Sequence, residues 1–130
     1  SNDKIYDGNS SGERMSLLQT SAGASPQLSM YAGSTTAGPY STLALRAIAI
    51  VCSVFNGIAG SIRINRGTSA AANVGAASNP GNGFTLGAAV DGTAAGNIFA
   101  SEIAIYSTVL SASDQSRLAL YAGRKWRFAV

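Results

Sequence analysis

The stretch GFTLGAAVDGTAAGNIFASEIAIYSTVLSASDQSRLALYAGRKWRF, residues 83–128, decides the fold, because a strand pattern is followed there by a capped helix and an aromatic, basic end. Residues Ile98–Tyr106 alternate between two sides, which predicts a strand with one face in a core. Ser111 can accept a hydrogen bond from a free backbone N–H, and Asp114 adds negative charge where a helix begins. We therefore expect a helix to begin at about Ala112.

The end of this helix is also marked in the sequence. Leu118, Tyr121 and Ala122 fall at spacings that share one helical face. Gly123 is expected to end or loosen the helix, because glycine is common just beyond a helix C-terminus. Residues 126–130 alternate again, which predicts a docked, extended tail.

Length and composition limit the class of protein. The chain has 130 residues, enough for a single domain, residues 1–130, with one core. Charged residues make up 12% of it, about half the usual share. A surface dominated by Ser, Thr, Asn, Gly and Ala suits a durable extracellular or particle-bound protein, or a subunit buried among neighbours. The net charge of +3 forms no dense basic stripe, so we expect no nucleic-acid partner.

The run LALRAIAIVCSVF, Leu43–Phe55, is the most apolar part of the chain. It is too short to span a bilayer and Arg46 interrupts it, so the sequence predicts a strand covered on both faces and no membrane insertion. Cys52 is the one cysteine, which excludes an internal disulfide. A buried thiol is expected there, since the chain has no histidine to activate a nucleophile.

Turn-rich spacers separate short apolar segments along the whole chain, as in an all-β sandwich. Reversals are predicted at Asn56-Gly57 and at Asn65-Arg66-Gly67, and residues 67–83 form a long small-residue loop that is either functional or ordered by a neighbour. The expected strands are Arg14–Gln19, Gln27–Tyr31, Leu43–Phe55, Ser61–Asn65, Phe84–Gly87 and Ile98–Tyr106.

The succession VFNG, SIRIN followed by glycine, GFTLGA, IFASEIAIY and LSASDQSRLALYAGRKW, between Leu43 and Phe128, resembles the concanavalin A-like lectin/glucanase superfamily. Within it, the chain is most similar to the laminin-G-like jelly-roll modules common in bacteriophage tail and virion proteins. The resemblance implies an all-β fold, an antiparallel β-sandwich of the jelly-roll type, with one short C-terminal helix. It also implies that Trp126 packs under this helix.

The chain departs from the family pattern in a few places. Ala100 stands where the family commonly has glycine, and Gly123 stands where a larger helix residue is usual. The family also carries further strands before the region equivalent to residues 5–19. Either upstream residues were removed, or the module is a reduced sandwich whose open side is covered by another subunit.

Catalysis is not expected from the acidic residues. Glycoside cleavage needs two facing carboxyl groups, and the six Asp and Glu residues do not form the E-x-D-x-x-E set of the family's glucanases. Glu102 is expected to anchor the helix or the basic tail, through Arg124 or Lys125. The absence of histidine excludes a serine triad and, with one cysteine, a zinc site. The sequence therefore predicts no enzyme.

Two ligand sites remain open. Family members often hold calcium with loop oxygens, and Asp91-Gly92 with Asn97 would supply such ligands, although Asp-Gly also forms ordinary hairpin turns. No other cofactor is expected. Sugar binding would use an exposed aromatic platform with amide groups, or the same residues are core edges and turns. The candidates for that platform are Tyr6, Tyr31, Tyr40, Asn65, Asn73 and Asn97.

Three functions follow from these observations. The favoured one is a non-enzymatic structural or adhesion module on the surface of a phage virion, such as a decoration, fibre or spike domain. Its partners would be other virion subunits or itself, as a trimer or other homo-oligomer, and a host-surface glycan. The alternative is a carbohydrate-binding lectin module of a secreted or bacterial surface protein. The third is a fragment of a polysaccharide-degrading enzyme.

Overall fold

The computed structural model of the chain describes residues 2–8, 15–20, 27–33, 40–44, 47–75, 84–89 and 91–130. These residues form strands, one short 3-10 turn and one helix. The strands are β1 (Asn2–Gly8), β2 (Met15–Thr20), β3 (Gln27–Ala32), β4 (Tyr40–Thr42), β5 (Val51–Val54), β6 (Gly60–Ile64), β7 (Ala70–Ala72) and β8 (Phe84–Leu86). The 3-10 turn is Gly57–Ala59 and the helix, α1, is Ala112–Trp126.

The larger sheet has five antiparallel strands in the order β4-β3-β2-β1-β8. Side chains alternate along β3, so Leu28, Met30 and Ala32 all point to one face, and all are fully buried. The pairing of β1 with β2 shifts by one residue between Lys4 and Tyr6, as in a β-bulge. One face of this sheet therefore contributes Leu28, Met30 and Ala32, every second residue of β3, to a core.

The smaller sheet consists of β5, β6 and β7, again antiparallel. Both predicted reversals in this region are confirmed. Gly57 opens the 3-10 turn with a positive φ of 53°, which glycine adopts without steric cost. At the second reversal, Asn65 has a φ of 54° and the Gly67 amide donates to the Ile64 carbonyl at 3.0 Å.

A single hydrophobic cluster draws on both sheets. Leu28 and Met30 of the larger sheet pack with Ile62 of the smaller sheet and with Val74, which follows β7. Gly60 is required for this packing, because a Cβ at that position would lie 2.6 Å from Val74 Cγ2. The two sheets thus share one core.

Tyr6 on β1 joins the two sheets through a polar contact with β5 and a ring contact with Phe55, and it also stacks on Phe84 within its own sheet. The Tyr6 hydroxyl lies 2.7 Å from Ser53 Oγ on β5. The Tyr6 ring stacks on Phe84 with centroids 5.3 Å apart and meets Phe55 edge-on at 6.1 Å. Burial raises the pKa of the Tyr6 hydroxyl well above its usual value, so this phenol stays neutral. Tyr6 therefore belongs to the core rather than to an exposed sugar platform.

The helix begins as the sequence predicts. Ser111 is the N-cap, and its hydroxyl accepts from the Asp114 amide at 3.1 Å. The prediction that Gly123 ends the helix is wrong, because α1 continues to Trp126 and ends at Arg127, which is left-handed. Gly123 instead lets the tail approach: a Cβ there would lie 3.0 Å from Val130 Cγ2.

Several expected strands differ from the structure. The run Leu43–Phe55 is not one strand, because the Ala47 amide donates to the Ala44 carbonyl at 3.1 Å in a turn and β5 begins at Val51. Residues 14, 45 and 46 lie outside the described residues. The expected loop at 67–83 contains β7 in its described part. Neither β1 nor β4 was predicted, since Asn2–Gly8 is polar and β4 is very short.

The expected strand Ile98–Tyr106 is also wrong. No residue of this segment belongs to either sheet. Alternation describes the two faces of a strand, but a strand also needs a neighbour that accepts and donates its backbone hydrogen bonds. Within the described residues the structure is mostly strands in small antiparallel sheets with one C-terminal helix, which confirms the predicted class at that level.

Candidate functional site

The tyrosines proposed for a sugar platform lie on the larger sheet. Tyr31 is half-buried on β3, and Tyr40 on β4 pairs with Ser29, two residues before Tyr31. The side chain of Tyr40 lies outside the described part of the structure. The register therefore brings the two backbone positions near each other, and their role in sugar binding stays a prediction.

The amide groups proposed for the same platform are used locally. Asn65 Oδ1 accepts from the Ile50 amide at 2.9 Å, and the Asn65 amide donates to the Ile50 carbonyl at 2.7 Å. Asn73 Oδ1 accepts from the Gly75 amide at 2.8 Å. Both side chains shape turns, as Asn residues commonly do. Asn97 is exposed, and nothing in the structure brings it together with the other two.

The proposed calcium ligands form a turn. Asp91 Oδ1 accepts from the Thr93 amide at 2.9 Å and from the Thr93 hydroxyl at 2.6 Å. Gly92 has a φ of 78°, which suits the reversal. No group of three or more His, Cys, Asp or Glu residues that would hold a metal ion occurs among the described residues. The turn interpretation of Asp91-Gly92 accounts for these contacts, and calcium binding with Asn97 stays a prediction.

Four side chains at the end of α1 form a surface that we name the aromatic shelf: Glu102, Tyr121, Lys125 and Trp126. Glu102 Oε2 lies 3.2 Å from Lys125 Nζ and accepts from the Trp126 indole N–H at 3.1 Å. Lys125 Nζ is 5.4 Å from the centroids of both the Tyr121 and Trp126 rings. The cation therefore stands between two aromatic faces, an arrangement that favours cation–π attraction.

The contacts of Glu102 and Lys125 shift both groups toward their charged forms. Hydrogen bonds from Trp126, and then from Lys125, hold the pKa of Glu102 below its usual value. Hydrogen bonding with Tyr121, and then with Glu102, raises the pKa of Lys125. A general acid of a glycosidase needs the opposite shift. Glu102 is thus an anchor for α1 through Lys125, as the sequence predicts.

Trp126 does not pack under the helix, contrary to the expectation from the family resemblance. Its side chain is 44% exposed. The reason is the length of α1: because the helix passes through Gly123, Trp126 sits on its last turn and Val130 takes the place beside Gly123. Sequence reasoning missed the shelf for the same reason, although Arg117, Tyr121 and Arg124 stand at helical spacing.

A shallow cleft of about 510 Å³, largely open to solvent and lined, among the described residues, only by side chains of α1, adjoins the shelf. Its lining combines three cations with two apolar or aromatic side chains, namely Arg117, Leu120, Tyr121, Arg124 and Lys125. Guanidinium groups bind carboxylate, sulfate or phosphate oxygens with paired N–H donors, and ring faces take up apolar surface. The cleft and the shelf are therefore suited to binding an anionic group attached to a partly apolar body.

The described contacts around Cys52 have a structural role. Burial raises the pKa of the Cys52 thiol against the opposing effect of the Arg63 charge, so the thiol is a poor nucleophile at neutral pH. Arg63, which pairs with Cys52 across β5 and β6, donates to Ser116 Oγ at 3.1 Å and to the Ala112 carbonyl at 3.5 Å. Arg63 thereby ties the start of α1 to the smaller sheet.

Comparison with models of protein families, with curated proteins and with solved structures finds no match for this chain. In the part of the chain that the structure describes, no helix has the length and hydrophobicity that a membrane span requires.

Proposed function

We propose that this chain is a non-enzymatic structural and adhesion module of a phage virion, built on a laminin-G-like jelly-roll sandwich. It acts at the virion surface through contacts with further copies of itself or with other virion subunits. The family resemblance of Leu43–Phe128 supports the class. The shared core of the two sheets is compatible with a sandwich.

The observation that carries the assembly part of this proposal is an exposed apolar segment, residues 99–109. Phe99 is 94% exposed and Ile105 is 73% exposed. Ile103, Tyr106 and Val109 are exposed as well. Soluble monomers rarely leave contiguous apolar surface of this kind in water, and such surface commonly marks a protein interface.

The sequence pattern of the same segment favours a protein partner. Residues 98–106 alternate as strand residues do, yet they pair with no strand in the described structure. A segment with strand-like alternation and no strand partner can pair with a strand from another chain. We propose a second copy of this chain as the first partner, because homo-oligomers are the commonest assemblies and supply identical segments.

Light scattering of the purified chain tests the assembly. We expect a mass that is a multiple of the monomer, and a trimer would give three times that mass. The double variant Phe99→Ser with Ile105→Ser should be a folded monomer. Ile58→Ser is the matched control, because Ile58 is 83% exposed in the turn before β6, outside the segment.

The outcomes separate clearly. A monomeric native chain, or a double variant that assembles as the native chain does, would contradict the proposal. An Ile58→Ser chain that loses assembly to the same degree would also contradict it, because the contact would then not be specific to residues 99–109. Circular dichroism of each variant establishes that its secondary structure is retained.

A second candidate is a carbohydrate-binding lectin module of a secreted or bacterial surface protein. The aromatic shelf favours it, since sugar sites combine an exposed ring with charged or amide groups. Glycan-array binding by a chain that stays monomeric would support this alternative over the virion module.

A further inference from the structure

The cleft beside the aromatic shelf lies on one face of α1. Arg117, Tyr121, Arg124 and Lys125 stand at intervals of four, three and one residues, so they form neighbouring rows on the helix surface. Leu120 lines the same cleft. The helix thus presents cations around an apolar and aromatic centre.

The cations of the cleft differ in their partners. Arg117 Nη1 lies 3.7 Å from Asp114 Oδ1, and Lys125 Nζ lies 3.2 Å from Glu102 Oε2. The guanidinium of Arg124, between them in the sequence, makes no hydrogen bond or ion pair with a side chain or loop in the described ranges. Its guanidinium is therefore the group whose donors an incoming anion would meet first.

The aromatic part of the site is held in place before any ligand arrives. Tyr121 is 52% exposed, so its ring offers a face to solvent beside the cations. Trp126 is fixed through its indole N–H on Glu102, at 3.1 Å.

We propose that this cleft binds an acidic saccharide, with a carboxylate or sulfate on Arg124 and an apolar sugar face on Tyr121. This inference rests on the adhesion role proposed above and names its ligand class. A saccharide fits both halves of the site, because its ring carries an apolar face and its acidic group accepts from the guanidinium fork. Lys125 supplies a second donor at the rim.

Nucleic acid is the less suitable ligand for this cleft. Phosphate backbones are bound by long basic tracks that contact many phosphates. Here the chain has a net charge of +3 and 12% charged residues, and the cleft cations have carboxylates of Asp114 and Glu102 beside them. One anionic group beside a ring suits the cleft better than a polyanion.

Binding can be measured by the fluorescence of Trp126, the one tryptophan of the chain, and by calorimetry. The probes are an oligouronate, a sulfated oligosaccharide, a neutral oligosaccharide of the same length, inorganic sulfate and a single-stranded oligonucleotide. We expect saturable binding of one of the two acidic oligosaccharides, and the stronger of them identifies carboxylate or sulfate. The affinity should fall as salt is raised, because exposed charges are screened.

Variants locate the site. Arg124→Ala should weaken binding about tenfold through loss of a charge-assisted contact, and Arg124→Lys should restore part of it because the charge remains. Tyr121→Ala should weaken binding severalfold while Tyr121→Phe keeps the ring face. The matched control is Arg66→Ala, which removes the same charge from the exposed turn between β6 and β7.

The results are decisive in either direction. Four results would each overturn the inference. The first two are equal binding of neutral and acidic oligosaccharides, and binding of inorganic sulfate as tight as that of the sulfated oligosaccharide. The other two are tighter binding of the oligonucleotide, and equal losses of affinity in Arg124→Ala and Arg66→Ala. Light scattering keeps the two proposals apart: an oligomer that binds no saccharide refutes the ligand class alone, whereas a monomer that binds one refutes the virion assembly alone.

Discussion

The contact between Tyr6 and Ser53 gives the sharpest test of how the two sheets meet. Tyr6→Phe removes the hydroxyl that lies 2.7 Å from Ser53 Oγ and keeps the ring on Phe84 at 5.3 Å and against Phe55 at 6.1 Å. A net hydrogen bond contributes about 1 kcal/mol, and an unpaired buried partner costs a further amount of similar size. We therefore expect Tyr6→Phe to lower the free energy of unfolding by about 1–2 kcal/mol.

A double-mutant cycle isolates the contact itself. Ser53→Ala should cost about as much as Tyr6→Phe, and the double variant should cost less than the sum by about 1 kcal/mol, because neither hydroxyl is then left without its partner. Urea unfolding with linear extrapolation measures all four chains. Tyr31→Phe is the control, since the Tyr31 hydroxyl on β3 makes no hydrogen bond in the described part of the chain. Strictly additive losses would refute the contact between Tyr6 and Ser53.

The pH dependence provides an independent check on the same residue. Burial raises the pKa of the folded-state hydroxyl above its value in the unfolded chain, which is about 10. The unfolded state therefore loses its proton first, and native stability falls as the pH rises above about 10. The Tyr6→Phe chain should lose less stability over that interval. Equal alkaline losses in the two chains would mean that Tyr6 is not buried.

Three further predictions test other parts of the structure. Gly60→Ala should destabilise the fold by about 1–3 kcal/mol through overpacking against Val74, and urea unfolding of the single and double variants with Val74→Ala should show coupling. Ser111→Ala should cost about 1 kcal/mol by removing the helix cap, with a loss of ellipticity at helix wavelengths that Ser111→Thr does not show. Trp126 fluorescence should change as acid protonates Glu102, with a midpoint below that of an ordinary glutamate because the hydrogen bonds from Trp126 and Lys125 lower the folded-state pKa, and this step should be missing in Glu102→Gln.

Local chemistry made the turns and the helix start predictable. The reversal at Asn65 requires a left-handed residue, and asparagine is among the few that tolerate it. Ser111 provides a side-chain acceptor at the N-terminus of α1, where the backbone N–H groups have no partner within the helix. Such features depend on a few neighbouring residues, so the sequence is sufficient to identify them.

Non-local contacts explain what the sequence did not reveal. Glycine is a residue type common at helix ends, but the helix continues past Gly123. The Gly123 carbonyl accepts a hydrogen bond from the Phe128 amide at 3.0 Å, and the C-terminal tail packs where a side chain of residue 123 would lie. Trp126, which the family resemblance places under the helix, lies on the surface instead. The β-bulge at Ile5 determines which face of the sheet each later residue of β1 occupies. The polar sequence of β1 contains no pattern that predicts this bulge.

Residues 98–106 are the clearest case in which the sequence pattern and the structure disagree. Its alternation is that of a half-buried strand, yet Phe99, Ile103 and Ile105 are all exposed on the side that should be buried. Exposing a regular apolar pattern to water is costly, and this cost is the reason for proposing that a second copy of the chain covers the segment. Glu102, in the same segment, contacts α1 through Lys125, with Oε2 3.2 Å from Nζ. Phe99 and Ile105 are the most exposed large apolar side chains of the segment, and for this reason the assembly variants are placed there rather than elsewhere on the surface.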